Sequence, residues 1–322
     1  MASTPFNVVT ASMIALQLHP EETCELWLID QPTDNSSFIK GLYSWEDSPF
    51  KEVRIVSRQA KTFSEKRKRK HTLRALTREA KSAGITDLYT ANDRRIEFQW
   101  LMAHLPGSVT GHYVDDGTYS YIGRKTHWFS DRIIDNFLKK LMYGLWWKQP
   151  KTIGASEWIK IVHLAFPKLA VSELHKKECR QVPDELSNPA LTSLGATFGD
   201  EVSEATKLDA LIVLPHESVR SEKTEQSLLH EGNKYSFCGI KRHPRSATGS
   251  LNIQDMKEIS AKIPFELLLS NLKPGCCIIG DVSSALLTAR WLSPHLHIVC
   301  LADRKDNLTA LMEKIGIEVR YI

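Results

Sequence analysis

The sequence predicts an α/β protein made of two Rossmann-like domains, each a parallel sheet covered by helices. Three observations carry that prediction. At 322 residues the chain exceeds the length at which one hydrophobic core usually keeps growing. Short apolar runs alternate with helical segments along the whole chain, as parallel strands joined by helical crossovers do. The composition, 42% hydrophobic and 25% charged, is that of an ordinary globular chain.

Asn7-Val8-Val9-Thr10 reads as strand-like, and helix formers follow up to His19-Pro20, where proline ends the helix. Residues 24–30 form a buried-strand run, Ser36 or Ser37 caps a helix through Tyr43 and Trp45, and residues 52–56 give the next strand. A long helix is expected over 62–82, ending at Gly84, with Leu73, Leu76, Ala80 and Ala83 on one face. Residues 87–90, 94–104 and 108–114 then read as strand, helix and strand. Helical residues 131–147 lead into Lys148-Gln149-Pro150-Lys151, the expected linker, which divides the chain into domains 1–150 and 151–322. Beyond it, strands are expected at 158–166, 208–214, 235–240, 276–279 and 297–301, with helices around 222–230, 265–271, 284–291 and 307–315.

Six cysteines without a C-x-x-C pair fit a reducing compartment and argue against a disulfide framework or a zinc site. The first residues lack a basic signal-peptide region, and no apolar run approaches the ~20 residues that span a bilayer, so a cytoplasmic protein is expected. The net charge of +4 conceals a local concentration: residues 61–81 hold nine Lys/Arg against Glu65 and Glu79. Its centre, Lys66-Arg67-Lys68-Arg69-Lys70, reads either as a solvated helix face or as a surface for anionic lipid headgroups, and the alternative to an enzyme is a noncatalytic protein that binds an anionic surface through it. No recognition motif or aromatic platform accompanies it, so no nucleic-acid partner is expected. The chain lacks G-x-G-x-x-G after its first strand and lacks G-x-x-x-x-G-K-[ST] altogether, which argues against dinucleotide and P-loop sites.

Three short stretches can carry chemistry, and all are expected to face one cleft between the carboxyl edges of the two sheets. Asp115-Asp116-Gly117 ends a strand. Adjacent carboxylates on extended chain point to opposite sides, so one can face the cleft as a general base while the other accepts bonds from its own loop. The same residues also make an ordinary Asp-Gly turn. Lys241-Arg242-His243-Pro244-Arg245 ends another strand; the cations can neutralise a phosphate and His243 can donate to it, or the run is a solvated basic turn. Asp281-Val282-Ser283-Ser284 opens a helix, where Ser283 and Ser284 beside unpaired N–H groups suit an anion or an N-cap. The G-x-S-x-G elbow of serine hydrolases is missing. Glu266, in the first turn of a helix, and His216-Glu217, at a strand end, are weaker candidates.

In order and spacing, Asp115-Asp116-Gly117, His243-Pro244 and Ser283-Ser284 resemble the motifs of the bacterial sialyltransferases of GT-B type. The nearest branch looks like glycosyltransferase family 52, the lipooligosaccharide sialyltransferases, with the bacterial polysialyltransferases more distant. The resemblance implies a GT-B fold, an N-terminal acceptor-side domain and a C-terminal domain for the CMP-sugar donor. It implies inverting, metal-independent transfer of a sialic acid, or another nonulosonic acid, from its CMP-activated form to a hydroxyl of a bacterial surface glycan. The implied roles are Asp116 as base, Asp115 as loop former, His243 at the departing phosphate, Ser283 and Ser284 on its oxygens, and Glu266 on the ribose. Gly117, Lys241 and Pro244 complete the implied substrate contacts, and Asp115 or Glu217 stands as the competing base. No cofactor beyond the donor substrate is implied; a homodimer and peripheral attachment at the inner membrane through residues 66–70 are compatible.

Overall fold

The computed structural model describes residues 1–18, 21–31, 37–57, 63–123, 136–183, 189–218, 221–243, 246 and 256–322, with the backbone alone for 18, 30, 31, 57, 63–67, 142, 143, 200 and 201. The chain forms two compact units. Met1–Asp34 and Phe50–Pro183 make the first, and Asn35–Pro49 and Asp184–Ile322 the second.

In chain order the first part of the molecule runs α1 (Pro5–Leu18), β1 (Cys24–Gln31), α2 (Ser37–Tyr43), β2 (Phe50–Ser57), α3 (Phe63–Ser82), β3 (Asp87–Thr90), α4 (Ile96–His104), β4 (Thr110–Val114), α5 (Tyr119–Ile122), α6 (Asn136–Tyr143), β5 (Ile159–Leu164) and β6 (Glu178–Gln181). All of these except α2 belong to the first unit. There β1 and β2 pair in parallel, and β3-β4-β5-β6 form a second, all-parallel sheet. One core joins the two: Trp27 and Ile29 pack with Phe98, Leu101, Tyr113, Ile159 and Leu164.

Two expectations are corrected in this unit. Residues 7–10 are helical rather than strand-like, because Thr4 Oγ1 accepts the Asn7 N–H at 3.2 Å and caps the first turn, where Pro5 needs no N–H of its own. Val8, Val9 and Thr10 are fully buried on that helix, so packing overrides their β propensity. The division between units falls at Pro183, not at residues 148–151. β5 and β6 extend the first sheet past residue 150 through paired ladders, and the expected linker is clamped: Gln99 donates to the Lys148 carbonyl at 2.7 Å and accepts its N–H at 2.8 Å.

The second unit continues with α7 (Pro189–Ala196), α8 (Asp200–Glu204), β7 (Ala210–Val213), α9 (Glu222–Gly232), β8 (Cys238–Lys241), β9 (Lys257–Ile259), α10 (Phe265–Leu269), β10 (Cys277–Gly280), α11 (Ser284–Leu292), β11 (His297–Ala302), α12 (Asn307–Lys314) and β12 (Glu318–Tyr321). α2 joins it because Trp45, buried, donates its indole N–H to the Ala190 carbonyl at 2.7 Å. A Cβ on Gly41 would stand 2.7 Å from Thr197 Oγ1, so a larger residue there would displace Thr197. The six strands are all parallel in the order β12-β11-β10-β7-β8-β9. From β7 the chain adds strands outward on one side, then returns to place β10 on the other side of β7. That reversal is a topological switch point, where open α/β sheets form a crevice at their carboxyl ends. Among the described residues no helix is long and apolar enough to cross a membrane.

Candidate functional site

β4 delivers Asp115 and Asp116 to the carboxyl end of the first unit's sheet, and the two carboxylates have different surroundings. Asp115 is 1% exposed. Its Oδ1 accepts from Gly117 N at 2.9 Å and Ser120 Oγ at 2.7 Å, and its Oδ2 accepts from Ala165 N at 3.0 Å and from the Tyr121 hydroxyl. Burial pushes its carboxyl up, and these donors counter the rise. Asp115 therefore ties the end of β4 to α5 and to the end of β5. Gly117 sits at φ 86°, a conformation that a Cβ penalises, and its N–H is taken by Asp115, so its contribution is conformational.

Among the described residues Asp116 keeps one protein hydrogen bond, accepting from Asn7 Nδ2 of α1 at 3.2 Å. Burial pushes its carboxyl up to about 6, with the Asn7 amide and the Arg95 charge opposing the rise and Asp115 adding to it. A carboxylate with a conjugate acid in that range is ionised at neutral pH and is a stronger base than an exposed aspartate. Asn7, Arg95 and Tyr121 are absent from the sequence-based site; only their placement by α1, the loop before α4 and α5 reveals them.

In the second unit the candidates gather at the carboxyl ends of β7, β8 and β10, around the switch point. His216 follows β7, and its ring meets that of His243, after β8, edge to face with centroids 5.2 Å apart. The Ser218 N–H donates to His216 Nδ1 at 3.1 Å, so a neutral His216 carries its proton on Nε2. Glu217 is exposed. After β10, Ser283 occupies the N-cap of α11 without capping it; its Oγ is buried and faces the Asp281 carboxylate. Ser284 is exposed in the first turn. Asp281 lies beside them, its carboxyl pushed up to about 6 by burial; its own backbone N–H and the Ser283 hydroxyl oppose the rise, and the negative charge of Asp303 adds to it.

The cations of the basic turn are largely committed within the protein. Lys241 is buried and donates to the Ser260 carbonyl at 2.9 Å. Arg242, also buried, pairs with Glu258 at 2.6 Å. The turn thus presents less free charge than the sequence implies, and His243 stands half-buried at its end. Pro244 and Arg245 lie outside the described residues. Glu266, at the start of α10, has its carboxyl raised by burial, with the Lys241 charge opposing. In the basic helix, the side chains of Lys66 and Arg67 lie outside the description, Lys68 and Lys70 are exposed, and Arg69 pairs with Glu97 of α4 at 2.6 Å.

Two Rossmann-like units of this kind define a GT-B fold. The solved structures it resembles are bacterial sialyltransferases. The GT-B domain of a Photobacterium damselae sialyltransferase matches with a TM-score of 0.55 and 14% identity over 97% of this chain and 95% of that one. A further structure of a sialyltransferase from that species gives 0.50 and 14% over 93% and 81%. A 2,6-sialyltransferase from Photobacterium sp., solved with CMP and lactose, gives 0.53 and 12% over 92% and 78%. No protein-family model and no curated protein matches the sequence.

Proposed function

We propose that this protein is an inverting glycosyltransferase that moves a sialic acid, or a related nonulosonic acid, from its CMP-activated form to a hydroxyl of a bacterial surface glycan. The observation that carries the reading is the convergence of His243, His216 and the uncapped Ser283 at the switch point of the second unit's sheet. A nucleoside monophosphate suits such a site: ring N–H groups, a hydroxyl that is not used to cap its own helix and the first-turn N–H groups of α11 can hold a phosphate that gains charge as it departs. The likeness of fold to sialyltransferases, one of them solved with CMP and lactose, supports the same class of donor and acceptor.

In the proposed reaction Asp116 takes the proton of the acceptor hydroxyl as its oxygen bonds to the anomeric carbon. The bond from that carbon to the phosphate oxygen breaks, and CMP leaves with the electron pair. His243 donates a hydrogen bond or proton to that oxygen, Ser283 and Ser284 bind the other phosphate oxygens, and Glu266 accepts from the ribose hydroxyls. Asp115 holds the loop that presents Asp116. Charge neutralisation of a monophosphate needs no metal in this scheme. Legionaminic, pseudaminic and Kdo donors share the CMP portion and are alternatives for the transferred acid. A lipooligosaccharide or capsular acceptor would place the protein in the cytoplasm, with contact to the inner membrane.

Calorimetric titration with CMP tests the donor site. Specific CMP binding that weakens about tenfold or more in His243→Ala is expected, this being the loss of one charge-assisted hydrogen bond. Absence of CMP binding, or binding untouched by that change, would remove the site.

A further inference from the structure

The first unit carries an apolar surface that the transferase reading does not use. Of the nine large apolar side chains exposed among the described residues, four lie between 137 and 145: Phe137 (64%), Leu138 (48%), Leu141 (73%) and Leu145 (85%). At 100° per residue the three on α6 fall within one quadrant or so of the helix, and Leu145 follows just after its end. Four large exposed apolar side chains within nine residues differ from the scattered single residues that a soluble surface tolerates.

Next to the patch lies a basic cavity of about 500 Å³, lined by Lys140, Lys148, Lys151, Lys176 and Lys177 against Glu157 and Glu173. Lys148 pairs with Glu157 at 3.1 Å and Lys177 donates to the Ser156 carbonyl at 3.0 Å, which leaves Lys140, Lys151 and Lys176 to supply its excess positive charge. Its walls include Ala155–Glu157, just before β5, and Lys176 and Lys177, just before β6. It therefore opens at the amino ends of these parallel strands, away from Asp115 and Asp116 at the carboxyl end of β4. Burial and the nearby Lys160 charge hold Lys177 below its usual pKa, which an anion in the cavity would relieve. The patch and cavity are fixed to the rest of the unit. Lys139 stands 4.6 Å above the Trp147 ring, and Trp147 is buried with Leu73 of α3 and with Ile96 and Trp100 of α4. The same packing brings in α3, with its exposed Lys68 and Lys70.

We infer that this face is a docking surface for an anionic lipid bilayer, α6 lying in the headgroup plane with Phe137, Leu138, Leu141 and Leu145 in the acyl boundary and the lysine-lined cavity holding lipid phosphates. Charge complementarity selects the occupant: a short helix with an exposed apolar face bordered by lysines matches the interfacial mode of membrane binding. At eight residues α6 is far too short to span, so the attachment is peripheral. The inference does not depend on what the protein transfers.

The test is co-sedimentation of the full chain with vesicles of equimolar phosphatidylcholine and phosphatidylglycerol, and with phosphatidylcholine alone, in low-salt buffer. Binding to the anionic vesicles is expected, much weaker on phosphatidylcholine. Leu141→Glu/Leu145→Glu is expected to lower the partition coefficient about a hundredfold, near tenfold for each leucine. Lys140→Gln/Lys151→Gln should lower it more than tenfold, about fivefold per charge. A reading that requires no variant is hydrogen exchange of amides 136–147, expected to slow when anionic vesicles are added to the unaltered protein. No binding of the unaltered protein, binding indifferent to the leucine changes, or unchanged exchange overturns the inference. So does a dimer in sedimentation equilibrium that Leu141→Glu dissociates, because a second copy would then cover the face.

Discussion

Asp116 is held ionised at a cost, and replacing it should separate stability from activity. Its carboxyl rises from 3.8 to about 6, mainly through burial, which corresponds to about 3 kcal/mol against the folded ionised form at pH 8. Because the folded pKa is the higher one, the stability concerned is fully present below pH 3.8 and is lost as pH rises through about 6. Asp116→Asn keeps an oxygen for the Asn7 amide and removes the charge. It should therefore raise the unfolding free energy by up to about 3 kcal/mol at pH 8, by about half that at pH 5, and by almost nothing near pH 3.5. The midpoint temperature should rise by several degrees at pH 8, at roughly 2–4 °C per kcal/mol for a protein of this size. Urea titrations at the three pH values measure the gain, and transfer assays on the same preparation should show turnover lowered about a hundredfold or more. A variant less stable than the parent at pH 8, or a gain independent of pH, refutes the electrostatic argument; full turnover refutes the role as base.

The neighbouring carboxylate should respond with the opposite sign: Asp115→Asn points an amide at donors such as Ala165 N and should cost about 2–4 kcal/mol, read in the same urea titrations. His243→Ala should lower turnover by about a hundredfold or more with the melting midpoint falling by no more than about 2–4 °C, because its ring is half-buried and meets His216 edge to face. Ser283→Ala should leave stability within about 0.5 kcal/mol, since its hydroxyl caps nothing, whereas Ser221→Ala, which removes the acceptor of the Thr224 N–H, should cost about 1 kcal/mol; CMP affinity should fall only in the first. The rate at limiting donor should decline below pH about 6 as Asp116 takes up its proton, and a flat profile between pH 5 and 8 would count against that assignment.

The central strands of the second unit could be read from the chain because β7, β8, β10 and β11 are continuous apolar runs ended by Pro215, His243-Pro244, Asp281 and Asp303, and buried parallel strands require that pattern. The edge strands β6, β9 and β12 were not anticipated: Glu178, Arg180, Lys257, Glu258, Glu318 and Arg320 leave them polar, and their pairing comes from the sheet beside them. The limit at Pro183 leaves no compositional trace, since Gln99 secures residues that look like a linker. In the site, Asp115-Asp116-Gly117 was legible because a paired charge and a glycine at a strand end limit what the backbone can do. Which carboxylate is tied down was foreseen as a division of labour, but its cause was not. Tyr121, Ala165 and Asn7 reach the pair from α5, the end of β5 and α1, and contacts between distant residues leave no local pattern. The basic turn presents less free charge than its sequence suggests, because Glu258 of β9 and Ser260 just after that strand engage Arg242 and Lys241.

The transferase account is tested most directly by incubating the protein with each CMP-activated acid, sialic acid first, and a panel of glycans beginning with lactose, with mass detection of CMP and product. The account predicts acceptor-dependent release of CMP matched by a glycan heavier by one acid residue, lost in His243→Ala. No release of CMP from any of these donors, in a preparation that is folded and melts cooperatively, would contradict it.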